Sequence, residues 1–495
     1  MSTVNGASLR AEVETAQTQV AALRAAGKVS EEVDAVLRVL FTLLNILISV
    51  LLERTTRKTS DNSSIPPSQV DKDDTAQRTT RAGGGGRCAN PKLRTGANLQ
   101  KITLEETVTV ETCDACGATL SDIDPVDREH RILLDIVFQV VERHVDAEIK
   151  QCPGCQARTR GRFPDTMPGP LQSGAGLQAF IINLLVTQML SLRRTVELVQ
   201  AISGRRISEA TCLNYIRRLH DALQSWEDAA IAHLLTCPAL HADETGLRVD
   251  RKTQWLHIRT NGALTLKFLH PNRGRKAIDA IGIIPRYTGT LVHDCWASYF
   301  VYDPCRHALC GAHLLRELAF IVESNGFRWA RLMKALLREA CHKLNSNHAK
   351  ALTEAEYRAI RKRFRTILTQ GGRELPEIPP RRRGRRGRIA KSDAHNLHER
   401  LKKHEEAVLR FLRDPHVSCT NNAGEQKIRM AKVKIKVSGC FRTQLQAEAW
   451  CRISSYLSSM AALGYNPLVA IQIALAGKAV EMNNLHTMPS APENG

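Results

Sequence analysis

Short apolar runs between residues 237 and 322 follow one another in an order that few folds accommodate. Residues 238–242, 254–260 and 264–270 read as three strands, 276–281 as a short helical piece, 290–294 as a fourth strand, and 308–322 as the entry to a helix. Two acids punctuate this run. Asp243 follows the first strand in His241-Ala242-Asp243-Glu244-Thr245, and Asp294 ends the fourth in Leu291-Val292-His293-Asp294. Carboxylates at the ends of adjacent strands can share a pair of hard cations about 4 Å apart, the arrangement that supports in-line phosphoryl displacement. A third carboxylate usually completes such a site, and Glu425 in Asn421-Asn422-Ala423-Gly424-Glu425 is the candidate. Asn422 is expected to cap a helix there and to place Glu425 in its first turn.

Acids alone say little, because the chain has 50 of them and an Asp after a strand is more often a turn residue than a ligand. The strand order raises the odds, since it matches a ribonuclease H-like fold. Charge points the same way. Lys and Arg number 70, for a formal net charge of +20, and such a surplus favours a polyanionic partner through counterion release. A basic protein with no nucleic acid is the blander reading.

The rest of the chain divides by composition into a multidomain α/β arrangement. Residues 1–53 read as helical. Val33, Leu37, Leu40, Leu44, Leu47 and Leu51 alternate at spacings of four and three, the seam of a coiled coil. Ser30 can cap that helix, with Glu31 and Glu32 at the positive end of its dipole. Arg38 and Asn45 interrupt the apolar stretch, so a coiled-coil oligomerisation helix is preferred to a membrane span. Residues 54–100, with Pro66-Pro67 and four consecutive glycines from Gly83, read as a flexible basic linker.

A zinc-binding module with four cysteine ligands is expected over 101–163. Cys113-x-x-Cys116 and Cys152-x-x-Cys155 have metal spacing, and four thiolates suit a structural, tetrahedral zinc. Two unrelated reduced pairs are the alternative. Residues 132–141, between the pairs, suit strands. The first 27 residues carry no apolar signal segment, and with this cysteine usage a reducing, cytoplasmic compartment is expected.

Residues 170–235 read as a helical module with helices at 177–190, 191–202 and from the Ser208 cap to about 223. In the third, Cys212, Leu213, Ile216 and Leu219 are expected inside. Thr211, Asn214, Arg217 and Arg218 are expected outside, where they can reach phosphates and base edges. This is similar to a helix-turn-helix, although an ordinary bundle with a basic face fits equally. The candidate catalytic domain spans 237–475, with a helical, charged stretch at about 326–415, and 482–495 reads as a disordered tail.

Several ordered motifs carry a closer likeness. They are Asn62-Ser63-Ser64-Ile65-Pro66-Pro67-Ser68, both cysteine pairs, the segment from His241 to Gly246, and His270-Pro271-Asn272-Arg273-Gly274. They continue with the segment from His293 to Tyr299, the segment from Cys310 to Leu318, Asn421 to Glu425, Lys432-Val433-Lys434 and Ser438-Gly439. Through them nearly the whole chain resembles transposases of the insertion-sequence-66 type, in the DDE superfamily. The resemblance implies that Asp243, Asp294 and Glu425 form the catalytic triad and bind Mg²⁺ or Mn²⁺. It implies a helical insertion between Asp294 and Glu425, and a DNA transposase that cleaves element ends and joins them to target DNA. Double-stranded DNA and accessory proteins of the same element follow from it, and the N-terminal coiled coil would pair subunits into a homo-oligomer, since two ends must be held together.

The chain departs from the family pattern at several positions. Leu247 stands where the family usually has a large aromatic, and Cys295 where it has glycine. Gly424 and Gln426 flank Glu425 where Ala and Arg are usual, and Thr420 replaces a frequent acid. A catalytically decayed or domesticated DNA-binding copy is therefore the alternative reading. Cys310-x-x-His313 can bind a metal or brace the insertion; a buried cysteine and a helix histidine fit as well. His241 and His293 read as core neighbours of the acids, not general bases. Basic stretches at Arg381, Arg382 and Arg383, and at Lys427, Lys432 and Lys434, suit the DNA backbone.

Overall fold

The computed structural model describes residues 6–56, 58, 62, 105–132, 139–346, 351–378 and 391–480. Most of the 54–100 linker, the centre of the 132–141 segment, Arg381, Arg382, Arg383 and the 482–495 tail lie outside the described residues. Helices α1 (Gly6–Ala25) and α2 (Glu31–Thr55) come first. A hairpin of β1 (Ile149–Gln151) and β2 (Arg158–Arg160) precedes helices α3 (Ala175–Val186), α4 (Leu192–Ser203), α5 (Glu209–Ala222) and α6 (Gln224–Thr236). Strands β3 (Ala239–Val249), β4 (Lys252–Thr260) and β5 (Thr265–His270) lead to α7 (Arg275–Ile281), β6 (Thr290–His293) and β7 (Arg306–Leu309). Then come α8 (Gly311–Asn325), α9 (Arg328–Ser346), α10 (Glu354–Glu374), α11 (Asp393–Lys403) and α12 (Glu405–Leu409). The last are α13 (Asn422–Ser438), α14 (Gln444–Ala462) and α15 (Pro467–Leu475).

These elements pack as two units. One holds α1, α2 and residues 225–459; the other holds the described residues between 105 and 224 together with 460–480. Two boundaries drawn from the sequence shift as a result. Helix α6, from Ser225 on, belongs to the unit that holds the sheet and not to that of the module at 170–235, while α15 packs against α3 and α5 of that module.

The sheet has the order β5-β4-β3-β6-β7. Strands β3, β4 and β5 form an antiparallel meander, and β6 and β7 run parallel to β3. The two-residue turn between β3 and β4, Asp250 and Arg251, has positive φ at both positions, as a tight hairpin with the natural strand twist requires. Two expectations are corrected here. Strand β3 continues to Val249, so Asp243 lies within a strand and not at its end; pairing with β4 sustains the polar half that periodicity missed. Residues 306–309 form a fifth strand that was not expected, and the helix expected from 308 begins at Gly311, because four residues paired on β6 leave too short a signal.

The helical stretch after α8 shares one apolar core with the sheet. Val292, Ala308 and Leu309 of the strands join Trp329, Met333 and Phe364 of α9 and α10 in a single buried cluster. At the opposite edge, α14 lies along β5. The edge amides of Thr265 and Lys267 donate to the hydroxyls of Ser459 (3.0 Å) and Ser455 (2.9 Å), which closes an otherwise open strand.

At the N-terminus, Ser30 caps α2 as expected, and Asp34 is bracketed by Arg24 and Arg38. Helix α2 buries Ile48 and Leu52, whereas Val33, Leu40, Leu44, Leu47 and Leu51 of the seam are exposed. Its length and composition alone would allow it to cross a membrane. Glu53, near its end, accepts from the amides of Asp393 (2.7 Å) and Ala394 (3.1 Å) and so caps α11. In the other unit, Ser191 and Ser208 cap α4 and α5, and Gly204 ends α4 at φ +69°. Helix α5 buries Cys212, Tyr215, Ile216 and Leu219; Tyr215 takes the inside position expected of Leu213, which is only half-buried. Asn214, Arg217 and Arg218 face outward, and Thr211 is half-buried.

Lys267 offers a test of this packing. Its buried ammonium donates to Ser454 O and Oγ and to Ser458 Oγ at 3.2–3.3 Å, and burial pushes its pKa down to about 8 from an ordinary 10.5. The unfolded chain therefore binds more protons between those values, so stability rises with pH across that window and is depressed below it, by on the order of 3 kcal/mol. Denaturant melts of wild type and Lys267→Met from pH 7 to 10.5 should show wild type gaining on the variant as pH rises. Parallel curves would mean that burial does not strain the ammonium.

Candidate active site

Parallel pairing sets Ala239, Leu240 and His241 of β3 opposite Thr290, Leu291 and Val292 of β6. Two residues further, the same register brings Asp243 level with Asp294, where the strands part. Paired residues project to one face, and adjacent strands run about 4.8 Å apart, so the two acids are neighbours. Each has one oxygen fixed by its own backbone. Asp243 Oδ1 accepts from Glu244 N (2.8 Å), and Asp294 Oδ1 accepts from Trp296 N (3.2 Å).

Glu425 enters from α13, in its first turn as expected. The cap residue is Asn421 and not Asn422, and the Asn421 side chain does no capping. It reaches the sheet instead. Its Oδ1 accepts from His241 Nδ1 (2.8 Å), and its Nδ2 donates to the Ala242 carbonyl (3.0 Å), just past the last pair with β6. Its backbone amide donates to Cys310 Sγ (3.1 Å), and its carbonyl accepts from Glu425 N (3.1 Å). One buried asparagine thus ties together β3, the start of α8 and the helix that carries Glu425. Gly311 completes the tie. Its amide donates to Cys419 O (2.9 Å), and a Cβ there would stand 2.6 Å from that oxygen.

Cys310 and His313 converge on Glu425. The Cys310 thiol lies 3.7 Å and His313 Nδ1 3.4 Å from Glu425 Oε1, and the three donor groups fall within 4.8 Å of one another. The Cys-x-x-His motif therefore belongs to the carboxylate site. Burial pushes the Cys310 thiol up to about 12 and keeps it protonated. Asp243 is raised to about 8 by burial, then by the charges of Glu244, Asp294 and Glu425. Crowded oxygen donors with surplus negative charge suit a hard divalent cation.

Behind the acids lies a cluster the sequence did not single out. Glu244 is buried and raised by burial and by Asp294; it is held by Tyr299 Oη and by Arg273 Nε and Nη2 (3.0 and 2.9 Å). The Arg273 guanidinium lies between the rings of Trp255 and Trp296, 5.1 and 4.4 Å from their centroids. Glu244 and Arg273 both stood inside recognised motifs, but only the fold shows that they meet. His241 and His293 are buried, and burial holds both below the usual imidazole pKa, which fits a core role.

The remaining candidates lie elsewhere. Lys427, Lys432 and Lys434 are partly buried along α13, beyond Glu425. Arg217 and Arg218 belong to the other unit. So do the four cysteines, whose pairs each form a knuckle. Backbone amides of Ala115 and Cys116 pull the Cys113 thiol down, and those of Cys155 and Gly154 do so for Cys152. Among the described residues the four sulfurs are not gathered into one cluster.

Cys295 explains one departure from the family pattern. It follows Asp294 at φ +70°, a left-handed conformation that favours glycine and costs other residues roughly 1–2 kcal/mol. Cys295→Gly should raise the unfolding free energy by up to about 1 kcal/mol after loss of the half-buried side chain. An unchanged or lower value in denaturant titration would show that the thiol's packing outweighs the strain.

No curated protein matches the chain. The sequence model of the Transposase IS66 family matches residues 171–449, a span that contains the whole sheet, Asp243, Asp294, Glu425 and the Cys310–His313 pair. Such a family implies DNA as a partner and use of a divalent metal. The chain belongs to the Transposase IS66 family and is a DNA transposase of the DDE superfamily.

Proposed function

We propose that the chain cleaves the ends of a DNA element and joins them to target DNA, with Asp243, Asp294 and Glu425 holding Mg²⁺ or Mn²⁺ in a ribonuclease H-like domain. The convergence of these acids from β3, the end of β6 and the first turn of α13 carries the reading, supported by the burial and the neighbouring charges that raise the Asp243 carboxyl. The sheet order, with an antiparallel meander and two further parallel strands, supports the fold assignment. When bound, a pair of divalent cations lowers the pKa of an attacking hydroxyl and screens the leaving oxygen.

The chain's own residues supply position. Asn421 and Gly311 fix the start of α13 against β3, and His313 and Cys310 limit rotation of the Glu425 carboxylate. Lys427, Lys432 and Lys434 extend positive charge away from Glu425, where a DNA backbone would run. Arg217 and Arg218 on α5 present a second basic face, and Arg381, Arg382 and Arg383 add a third stretch. The exposed seam of α2 would pair with a second copy, so that two DNA ends are held together.

The test is cleavage and strand transfer on DNA bearing the element's ends, with Mg²⁺ and accessory proteins. Asp243→Asn, Asp294→Asn and Glu425→Gln should bind the ends but neither cut nor join. Asp243→Asn should also melt above wild type in EDTA at neutral pH, because it removes a buried acid that must take up a proton on folding, and should lose the stabilisation that Mg²⁺ gives. Wild type that binds the ends without cutting or joining would favour the decayed DNA-binding copy.

The cysteine knuckles would share one structural zinc. The purified chain should carry about one zinc ion, lost in Cys152→Ser. Full zinc content in that variant would rule out a site built from all four cysteines.

A further inference from the structure

A cleft of about 510 Å³ lies beside the edge strand β7, away from the carboxylates. Six cationic side chains line it: Arg306 at the start of β7, Arg361 and Arg365 of α10, Lys402 and Lys403 at the end of α11, and Arg410. Two carboxylates, Glu405 and Glu406, also line it. Glu405 is already engaged by Arg361 (2.5 Å) and Arg365 (2.9 Å), and Glu406 approaches Arg410 only at 4.0 Å. Among the described residues, Arg306, Lys402 and Lys403 have no carboxylate within ion-pair distance, and all three are exposed.

Arg410 is the fixed member of the group. Its Nε donates to the His307 carbonyl (2.8 Å), and its pKa is lowered by burial and by the charge of Arg306. The fold therefore gathers six cations around a concave space against two carboxylates, which leaves a surplus of positive charge. A concave, low-dielectric wall of one sign concentrates the field and attracts a polyanion.

The position relative to Asp294 is informative. Arg306 pairs with Thr290, whereas His293, the residue before Asp294, pairs with Leu309. Arg306 is thus four residues along the strands from Asp294, about 13 Å. That spans about four base steps of a DNA duplex.

We propose that this cleft binds the phosphate backbone of DNA flanking the position cut at the carboxylates. The proposal rests on the reading of the chain as an enzyme that acts on DNA. It is sequence-independent by its chemistry, since point cations and guanidinium groups address phosphates and not base edges.

The test uses the full chain and a duplex of arbitrary sequence, with binding read by fluorescence anisotropy over a range of salt concentrations. Arg306→Ala/Lys402→Ala/Lys403→Ala should lower the slope of log affinity against log salt by about 3, one for each phosphate that is no longer neutralised. Affinity should fall at least about tenfold at 0.1 M salt. The charge-keeping variant Arg306→Lys/Lys402→Arg/Lys403→Arg should retain slope and affinity, which separates charge from folding. A slope within half a unit of wild type in the alanine variant would overturn the proposal. Calorimetric titration with inorganic pyrophosphate supplies the second arm. Pyrophosphate binding that disappears in the alanine variant, beside an unchanged DNA slope, would assign the cleft to a small free anion and overturn it as well. No cleavage enters this measurement, so a failure of the catalytic reading and a failure of the cleft are told apart.

Discussion

One buried asparagine holds the candidate active site together. Asn421 uses its side chain on β3 and its backbone on Cys310 and Glu425, so three elements distant in sequence meet at a single residue. A buried amide bonded through both its oxygen and its nitrogen is rigid, because each alternative orientation leaves a donor or acceptor unpaired at about 1–3 kcal/mol. That rigidity matters where acids repel one another. Without the tie, Glu425 would relieve the crowding around Asp243 by swinging away.

The helical stretch between Asp294 and Glu425 contributes through the same logic. Its core is continuous with Val292, Ala308 and Leu309 of the strands, so it is anchored to the strand that leads to the second acid. It also carries charge. Cations of α10 and α11 and Arg410 stand around a cleft, while those of α13 run from Glu425. The net charge of +20 is therefore distributed over more than one surface, which suits a partner longer than a single binding groove.

Much of this was legible in the sequence. Asp243, Asp294 and Glu425 stood out because apolar strand runs and a helix start flanked them, and the structure brings all three together. The caps at Ser30, Ser191 and Ser208 followed from hydroxyl residues before periodic apolar runs. What failed was non-local. The second half of β3 is polar and survives only by pairing with β4; β7 has four residues and survives only by pairing with β6. Tyr215 replaced Leu213 inside because the buried face of α5 is set by its neighbours, and helical periodicity fixes that face only to within one position. The Glu244–Arg273–Tyr299 cluster spans 55 residues of chain, so no local pattern could announce it.

The closed edges of the sheet bear on how copies of the chain meet. At one side the hydroxyls of Ser455 and Ser459 take the outward amides of β5; at the other, Arg410 takes a carbonyl of β7. A sheet with occupied rims offers no template for another strand. Crowding several copies on one nucleic acid molecule raises their local concentration, the condition under which open rims polymerise. Here strand addition at those rims is disfavoured, which leaves the exposed apolar stripe of α2 as the surface on which the proposed pairing of copies would close and stop.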